Sequence, residues 1–189
     1  MTLAAEPGRL LVATSSLFDD NFRRVVILIC RYDPVQGALG LVLNRPTDLE
    51  VGNVLPHPVA AGRDEPLWVG GPVDRRSLWV LHTRADIGYP GEELMEGVWF
   101  GAESGLIRRV LATNAPDPEG EVFRLFAGYA GWGEGQLEAE LAADAWRVVP
   151  AGPGTLFGGE PERLWGEMMF RSELPCSRDP DVIRNSKMN

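Results

Sequence analysis

The sequence predicts one α+β domain with a mixed, largely antiparallel sheet flanked by helices. Predicted strands cluster early in the chain and predicted helices late, an order typical of α+β domains. The 189 residues fit a single domain, and 44% apolar and 24% charged residues are normal for a globular protein. No run of about 18 apolar residues occurs, so we expect no transmembrane helix and no association with a membrane.

Apolar and β-branched runs bounded by turn-forming residues predict the strands. The second and third strands are separated by Asp33-Pro34 and Gly37, which predicts a β-hairpin. The run at residues 24–30 is continuously apolar after its first arginine, which is typical of a central strand. The predicted strands are residues 9–14, 24–30, 38–43, 67–69, 77–82, 98–100, 121–127 and 146–149.

Capping residues and apolar residues at helical spacing predict the helices. Thr47-Asp48 can cap the first helix, and Pro161 takes an allowed first position in the last. The predicted helices are residues 47–54, 103–113, 136–143 and 161–171. We assign residues 1–171 to the domain and the polar residues 172–189 to a loosely ordered C-terminal tail.

The charge of the chain is unbalanced and concentrated in one segment. The net charge is −9, and residues 92–144 hold 11 acids but only three arginines. An acidic surface repels phosphate backbones, so direct binding of nucleic acid is disfavoured, although a small basic patch is still compatible with this charge.

The two cysteines give no disulfide framework. Cys30 ends a predicted buried strand, and Cys176 lies in the polar tail. Residues 1–16 lack the basic and apolar regions of a secretory signal, so we expect a cytoplasmic protein.

The most unusual stretch is the glycine-rich segment at residues 128–135. Its glycines at positions 131, 133 and 135 give G-x-G-x-G, whereas a dinucleotide site needs G-x-G-x-x-G. Glu134 also opposes a pyrophosphate, so we expect no cofactor here. The segment is either a tight turn packed around its aromatic residues or a binding surface. The residues of that surface would be Tyr129, Trp132, Gln136 and Glu138.

Two further turns follow predicted strands. Asn44-Arg45-Pro46 ends one strand, and Gly70-Gly71-Pro72-Val73 ends another, so the two turns could line one cleft. The glycines would let a ligand approach the backbone, and Arg45 could form paired hydrogen bonds with a carboxylate or a phosphate. The alternative is ordinary turn chemistry, with Arg45 paired to an acid of this acidic protein.

Residues for metal binding or catalysis do not form a recognisable motif. His57 and His82 have neither H-x-x-H spacing nor paired cysteines, so the sequence predicts no metal site. No nucleophile elbow and no P-loop occurs, so we assign no catalytic residue. We expect His82 to be a hydrogen-bonded structural residue, with a role as general base as the alternative.

Together these segments resemble the AlgH/YqgE family of bacterial proteins. The resemblance covers residues 8–170 and rests on an ordered set of motifs. These are Leu10-Leu11-Val12-Ala13, Phe18-Asp19-Asp20-Asn21-Phe22, Gly37–Pro46 with its N-R-P end, G-G-P-V at 70–73, His82, GYAGWGEGQLE at 128–138 and Trp146. The resemblance implies a sheet curled into a partial barrel and a cytosolic bacterial protein. It implies no particular reaction, although members are often described as transcriptional regulators.

Three functional hypotheses follow. The first is a non-catalytic binding or regulatory protein that docks a protein partner or a small anionic ligand on one surface. That surface would contain Asn44, Arg45, Gly70, Gly71, Pro72, His82, Tyr129, Trp132, Gln136 and Glu138. The second is an enzyme in which Arg45 holds a small anionic ligand and His82 or Glu138 transfers a proton. The third is a nucleic-acid-associated protein or transcriptional regulator. It would use a basic stripe of Arg23, Arg24, Arg75, Arg76 and Arg84.

Overall fold

The computed structural model describes residues 4–17, 19–112 and 123–174. These residues form ten strands and five α-helices in one α+β domain. The strands are β1 (Arg9–Ala13), β2 (Val26–Asp33), β3 (Gly37–Val42), β4 (Pro46–Glu50), β5 (Pro66–Val69), β6 (Val73–His82), β7 (Glu92–Met95), β8 (Val98–Gly101), β9 (Phe123–Trp132) and β10 (Trp146–Pro150). The helices are α1 (Val51–Val54), α2 (Ser104–Leu111), α3 (Gln136–Ala142), α4 (Pro153–Phe157) and α5 (Pro161–Glu173). None of the helices in these ranges is long and apolar enough to cross a bilayer.

Eight strands form a continuous antiparallel sheet in the order β10-β1-β2-β3-β9-β6-β8-β7. β4 pairs with β5, and β5 joins β9 in the parallel sense, which makes the sheet mixed as predicted. β9 is the central strand of this arrangement, because it pairs with β3, β5 and β6.

The sheet curls into a partial barrel. Arg31 of β2 forms an ion pair with Glu92 of β7, although the two strands are far apart in the sheet order. In the described part of the chain the edge strands β10 and β7 do not pair with each other, so the barrel stays open. Helix α5 packs Leu164 and Met168 against the core of the inner face.

The outer face of the sheet is covered by two helices. Leu137 of α3 packs with Trp132 and Trp146 in one buried cluster. Leu106 of α2 packs with Leu125 of β9 in another. Burial of these apolar side chains on both faces of one sheet holds the described residues together as a single domain.

The structure corrects several predicted elements. The prediction of a helix over residues 47–54 is wrong at its start, because Pro46–Glu50 is strand β4 and only Val51–Val54 is helical. Thr47 Oγ1 donates a hydrogen bond of 2.8 Å to the Leu67 carbonyl, which holds this segment beside β5. The prediction omitted β7 and α4, short elements whose apolar pattern is weak.

The glycine-rich segment is mainly strand rather than turn. β9 continues through Gly128 as far as Trp132, five residues beyond the predicted end at residue 127. Gly128 has a φ of 71°, and a Cβ there would lie 2.7 Å from the Gly71 carbonyl oxygen. Glycine therefore allows β9 to bend and to approach the G-G-P-V turn closely. The first two residues of the predicted strand at 121–127 and most of the predicted tail, residues 175–189, lie outside the described ranges.

Candidate functional site

The Asn44-Arg45-Pro46 and Gly70-Gly71-Pro72 turns lie side by side. Val69 N donates to the Arg45 carbonyl at 2.9 Å, and Val42 N donates to the Gly70 carbonyl at 2.9 Å. A Cβ on Gly70 would overlap the Gly128 carbonyl oxygen, so this glycine is required by close backbone packing. The two turns that the sequence singled out are therefore neighbours, with Pro72 exposed beside them.

Asn44 joins two strands through its side chain. Its Oδ1 accepts from Val26 N at 3.0 Å, and its Nδ2 donates to the Arg24 carbonyl at 2.9 Å. Arg24 has a positive φ of 53°, a backbone conformation that few non-glycine residues adopt. The Asn44 amide thus fixes the strained entry to β2, which is a structural role.

The Arg45 side chain is partly buried and forms no ion pair with a described acid. Its Nη2 donates to the Arg23 carbonyl at 3.4 Å, and it forms no ion pair with any described residue. Burial lowers the pKa of Arg45, the positive charge of Arg75 lowers it further, and Asp19 acts in the opposite direction. The positive charge of Arg45 is therefore opposed by burial and by Arg75 and supported by Asp19 without an ion pair.

Arg23, Pro72 and Arg75 are exposed around Arg45, and we call these four residues the Arg45 surface. Arginines without a carboxylate partner are notable in a chain with net charge −9. Each guanidinium presents several N–H donors that suit carboxylate or phosphate oxygens.

The carboxylate of Glu140 in α3 accepts hydrogen bonds from three side chains. Trp132 and Trp146 donate through their indole N–H groups to the same oxygen, Oε2 of Glu140, at 2.9 and 2.7 Å. Gln136 donates to Oε1 of Glu140 at 2.9 Å and accepts from Gly133 N at 3.1 Å. Trp132 is buried, so its ring supports the fold here.

Glu138 and Tyr129 lie on different parts of the molecule. Glu138 Oε1 accepts a hydrogen bond of 2.6 Å from the Tyr32 hydroxyl, which links α3 to β2. This contact raises the pKa of Tyr32. Tyr129 packs edge-on against Trp79 on the inner face, with ring centroids 5.7 Å apart.

His82 is fully buried, with 0% exposure. Its Nε2 lies 2.9 Å from the Pro90 carbonyl oxygen, and its Nδ1 accepts from Arg84 N at 3.1 Å. Both ring nitrogens are used, and the ring stacks on Trp99. Burial lowers the pKa of His82, so the neutral imidazole is favoured.

The ten residues selected from the sequence do not form one surface. His82 pairs with Phe123 at one end of β9, and Trp132 stands at the other end, so about 30 Å separate them along the strand. His82 is also seven residues from Arg75 along β6, or about 20 Å. The structure brings together the two turns that carry Asn44, Arg45, Gly70, Gly71 and Pro72.

Sequence reasoning missed Arg124, a buried cation on the inner face. It is 8% exposed and lies 4.0 Å from the ring centre of Trp68. Burial lowers its pKa to about 10. The only sequence signal is an arginine inside an apolar strand, at Phe123-Arg124-Leu125-Phe126.

Glu140, which holds the two indoles, was missed as well, because nothing near it in the sequence marks an acid as an acceptor for tryptophans. Among the described residues, no group of three or more His, Cys, Asp or Glu side chains could hold a metal ion.

Comparison with known proteins identifies relatives over most of the chain. The AlgH-like family model matches residues 10–176. A UPF0301 protein of Streptomyces coelicolor is 42% identical over 167 residues, covering 87% of this chain and 85% of the relative. A UPF0301 protein of Chlorobium luteolum is 38% identical over 161 residues, covering 84% and 81%.

Two solved structures share the fold. The AlgH protein of Pseudomonas aeruginosa superposes with a TM-score of 0.71 at 29% identity, covering 94% of this chain and 95% of that chain. A protein of Corynebacterium diphtheriae gives a TM-score of 0.74 at 26% identity, covering 93% and 91%. The resemblance found in the sequence motifs is thereby confirmed, and the chain belongs to the AlgH-like family of bacterial proteins.

Proposed function

We propose that this protein is a non-catalytic binding protein whose Arg45 surface docks an acidic segment of a protein partner. A regulatory role would follow because the docked acidic segment is no longer available for the partner's other interactions. The observation that carries this proposal is the Arg45–Arg75 pair. The charge of Arg75 lowers the pKa of Arg45, and neither arginine forms an ion pair with a described acid, although Asp19 is near enough to oppose the effect.

The mixture of charged and apolar exposed side chains on this surface favours an extended ligand. Arg23, Arg75 and Pro72 are exposed, and Val73 beside them is 37% exposed. A segment with several carboxylates and one apolar side chain could contact all of these groups together. Arginine is enriched at protein interfaces, and charge complementarity also speeds association.

The two other hypotheses have less support. Arg84 forms an ion pair with Asp86, so it is not free to complete the proposed basic stripe, and the net charge opposes a nucleic acid. The enzyme hypothesis needs Arg45 beside His82 or Glu138. His82 is fully buried with both ring nitrogens hydrogen-bonded, and Glu138 accepts a hydrogen bond from Tyr32, so this hypothesis has less support.

Fluorescence anisotropy tests the proposal with a labelled peptide of six glutamates and one leucine. We expect saturable binding that weakens as salt rises. The double variant Arg45→Ala/Arg75→Ala should bind about tenfold more weakly, because each exposed charge contact contributes up to about 1 kcal/mol. Arg163→Ala is the matched control, since Arg163 is an exposed arginine on α5, outside the Arg45 surface.

Other ligands separate the alternatives. Labelled oligothymidine that binds more tightly than the peptide, and that needs Arg45, would replace the proposal with the nucleic-acid hypothesis. Free glutamate that displaces the peptide at equal molar concentration would point to a small anionic ligand. Equal peptide binding by the double variant and the wild type would overturn the assignment of the site.

A further inference from the structure

Arg124 occupies an environment that arginines rarely occupy alone. It stands on the central strand β9, and its register partner on β6 is Leu81, a fully buried residue of the inner-face core. A buried guanidinium is costly unless a carboxylate compensates it. Among the described residues, no acid forms an ion pair with Arg124.

Most N–H donors of the Arg124 guanidinium have no acceptor among the described residues. A guanidinium has five N–H donors, and the one hydrogen bond of this side chain within the described residues runs from Nη1 to the Leu43 carbonyl at 3.1 Å. Among all residues that the structure describes, Glu65 Oε2 is the one fully enclosed side-chain nitrogen or oxygen atom without a hydrogen-bond partner. The remaining nitrogens of Arg124 are not among such enclosed atoms, and the residue is 8% exposed, so a small ligand can reach them from solvent.

The indole of Trp68 lies against the guanidinium of Arg124. The guanidinium carbon lies 4.0 Å from the centre of the ring, a distance that places the cation in contact with the aromatic face. This contact, together with the hydrogen bond to the Leu43 carbonyl, restricts the positions that the guanidinium can take. A preorganised guanidinium loses less conformational entropy when it forms a pair of hydrogen bonds.

A second arginine, Arg24, contacts the residues that follow β3. Arg24 lies over the ring of Trp165 at 5.3 Å, and its carbonyl accepts from Asn44, the residue next to Leu43. The chain positions of both arginines are thus tied to residues 43–44. Arg24 is exposed and forms no ion pair with a described acid.

We propose that the guanidinium of Arg124, held against Trp68, is a binding site for the oxyanion group of a small molecule. A phosphate or a carboxylate would accept two parallel hydrogen bonds from Arg124, with Trp68 behind the guanidinium. Arg124 is not one of the four residues of the Arg45 surface, although Leu43, which accepts its hydrogen bond, lies two residues from Arg45. The proposal does not depend on the function assigned to that surface.

NMR of the indole N–H groups tests this site directly. The Trp68 signal is assigned as the one that disappears in Trp68→Phe, and the wild type is titrated separately with inorganic phosphate, pyrophosphate and succinate. We expect a saturable shift of the Trp68 signal with at least one of these anions. The anion whose titration saturates at the lowest concentration shows whether the ligand carries a phosphate or a carboxylate.

Variants decide whether Arg124 is responsible. Arg124→Met should abolish the saturable shift, whereas Arg163→Ala, at an exposed arginine of α5, should leave the dissociation constant within about twofold, since distant sites act independently. Arg124→Lys keeps the charge but loses the planar fork, so it should bind at least about fivefold more weakly. This variant carries the test if Arg124→Met does not fold. No saturable shift of Trp68 with any of the three anions, or an unchanged affinity in the folded variants, would overturn the proposal.

Discussion

The polar side chains around Glu140 of α3, which we call the α3 region, are hydrogen-bonded to one another, whereas the arginines of the Arg45 surface form no ion pairs with described residues. Around Glu140, the two indoles of Trp132 and Trp146 and the amide of Gln136 all find an acceptor on one carboxylate. Around Arg45, the charges of Arg45 and Arg75 influence each other and neither forms an ion pair with a described acid. The first arrangement is complete in itself and stabilises the fold. The second is incomplete, which is a feature of surfaces that recognise another molecule.

This contrast assigns different roles to residues that looked equivalent in the sequence. Aromatic residues in a glycine-rich stretch are as typical of binding surfaces as an arginine in a turn. The hydrogen bonds of Trp132 are satisfied internally, whereas the charge of Arg45 is not. Proteins keep uncompensated charges chiefly where function requires them, because such charges reduce stability.

The largest effect is expected from Glu140→Ala. The substitution leaves the indole N–H groups of Trp132 and Trp146 without their acceptor in a mostly buried cluster. We expect a loss of about 3 kcal/mol in the free energy of unfolding, measured by urea denaturation. Glu134→Ala, an exposed acid just before α3, is the control and should change stability by less than about 0.5 kcal/mol. A loss below about 1 kcal/mol for Glu140→Ala would contradict the structural role of this region.

His82 belongs with the satisfied region, and His82→Phe should cost about 2 kcal/mol. The phenyl ring can still stack on Trp99, but it leaves the Pro90 carbonyl and Arg84 N without their partner on His82. Thermal and urea unfolding measure the loss. Near-native stability together with a specific loss of ligand binding would instead make His82 a functional residue.

The pH dependence of stability gives a second test of His82. Its pKa in the folded protein is below the ordinary value of 6.5, because burial disfavours the charged ring. As the pH falls through 6.5 toward the lower folded pKa, the unfolded chain takes up a proton that the folded protein resists. Stability due to His82 should therefore be complete above pH 6.5 and decline below it. His82→Phe should reduce this decline in urea unfolding between pH 7 and pH 5.

Asn44→Ala should have a smaller effect, about 1–2 kcal/mol, because it removes the hydrogen bonds to Val26 N and to the Arg24 carbonyl at a partly buried site. Asn44→Asp separates the two bonds, since an aspartate can still accept from Val26 N but cannot donate to Arg24. Urea denaturation should place Asn44→Asp between the wild type and Asn44→Ala. Equal stability of all three proteins would show that Asn44 does not fix the entry to β2.

The smallest effect on stability is expected from Arg75→Ala on the Arg45 surface. Removing one of two neighbouring positive charges relieves repulsion, so the free energy of unfolding should stay constant or rise by a few tenths of a kcal/mol. The change should shrink as salt is added. A loss of more than about 1 kcal/mol would show that Arg75 has a structural partner instead.

Much of the fold could be predicted because its elements carry strong local patterns. The continuous apolar run of β2 and its hairpin with β3 are examples, since turn residues and burial agree there. The strand β4 could not be predicted in this way. Its residues are mostly exposed, and a hydrogen bond from Thr47 to β5, distant in the sequence, holds it in place.

The candidate site was predictable only in part. The two turns at residues 44–46 and 70–72 could be expected to meet because both follow strands, and the structure places them together. The separation of His82 from Trp132 could not be anticipated, since it depends on the full length of β9. Arg124 was overlooked because its significance comes from Trp68 and Leu43, which are far from it in the sequence.

Stability and binding measured on the same preparations of Arg45→Ala/Arg75→Ala test the central contrast most directly. We expect the acidic peptide to bind about tenfold more weakly while the free energy of unfolding equals or exceeds that of the wild type. That result would show that the two arginines serve recognition and not the fold. Unchanged peptide binding together with a loss of more than about 1 kcal/mol in unfolding free energy would contradict it.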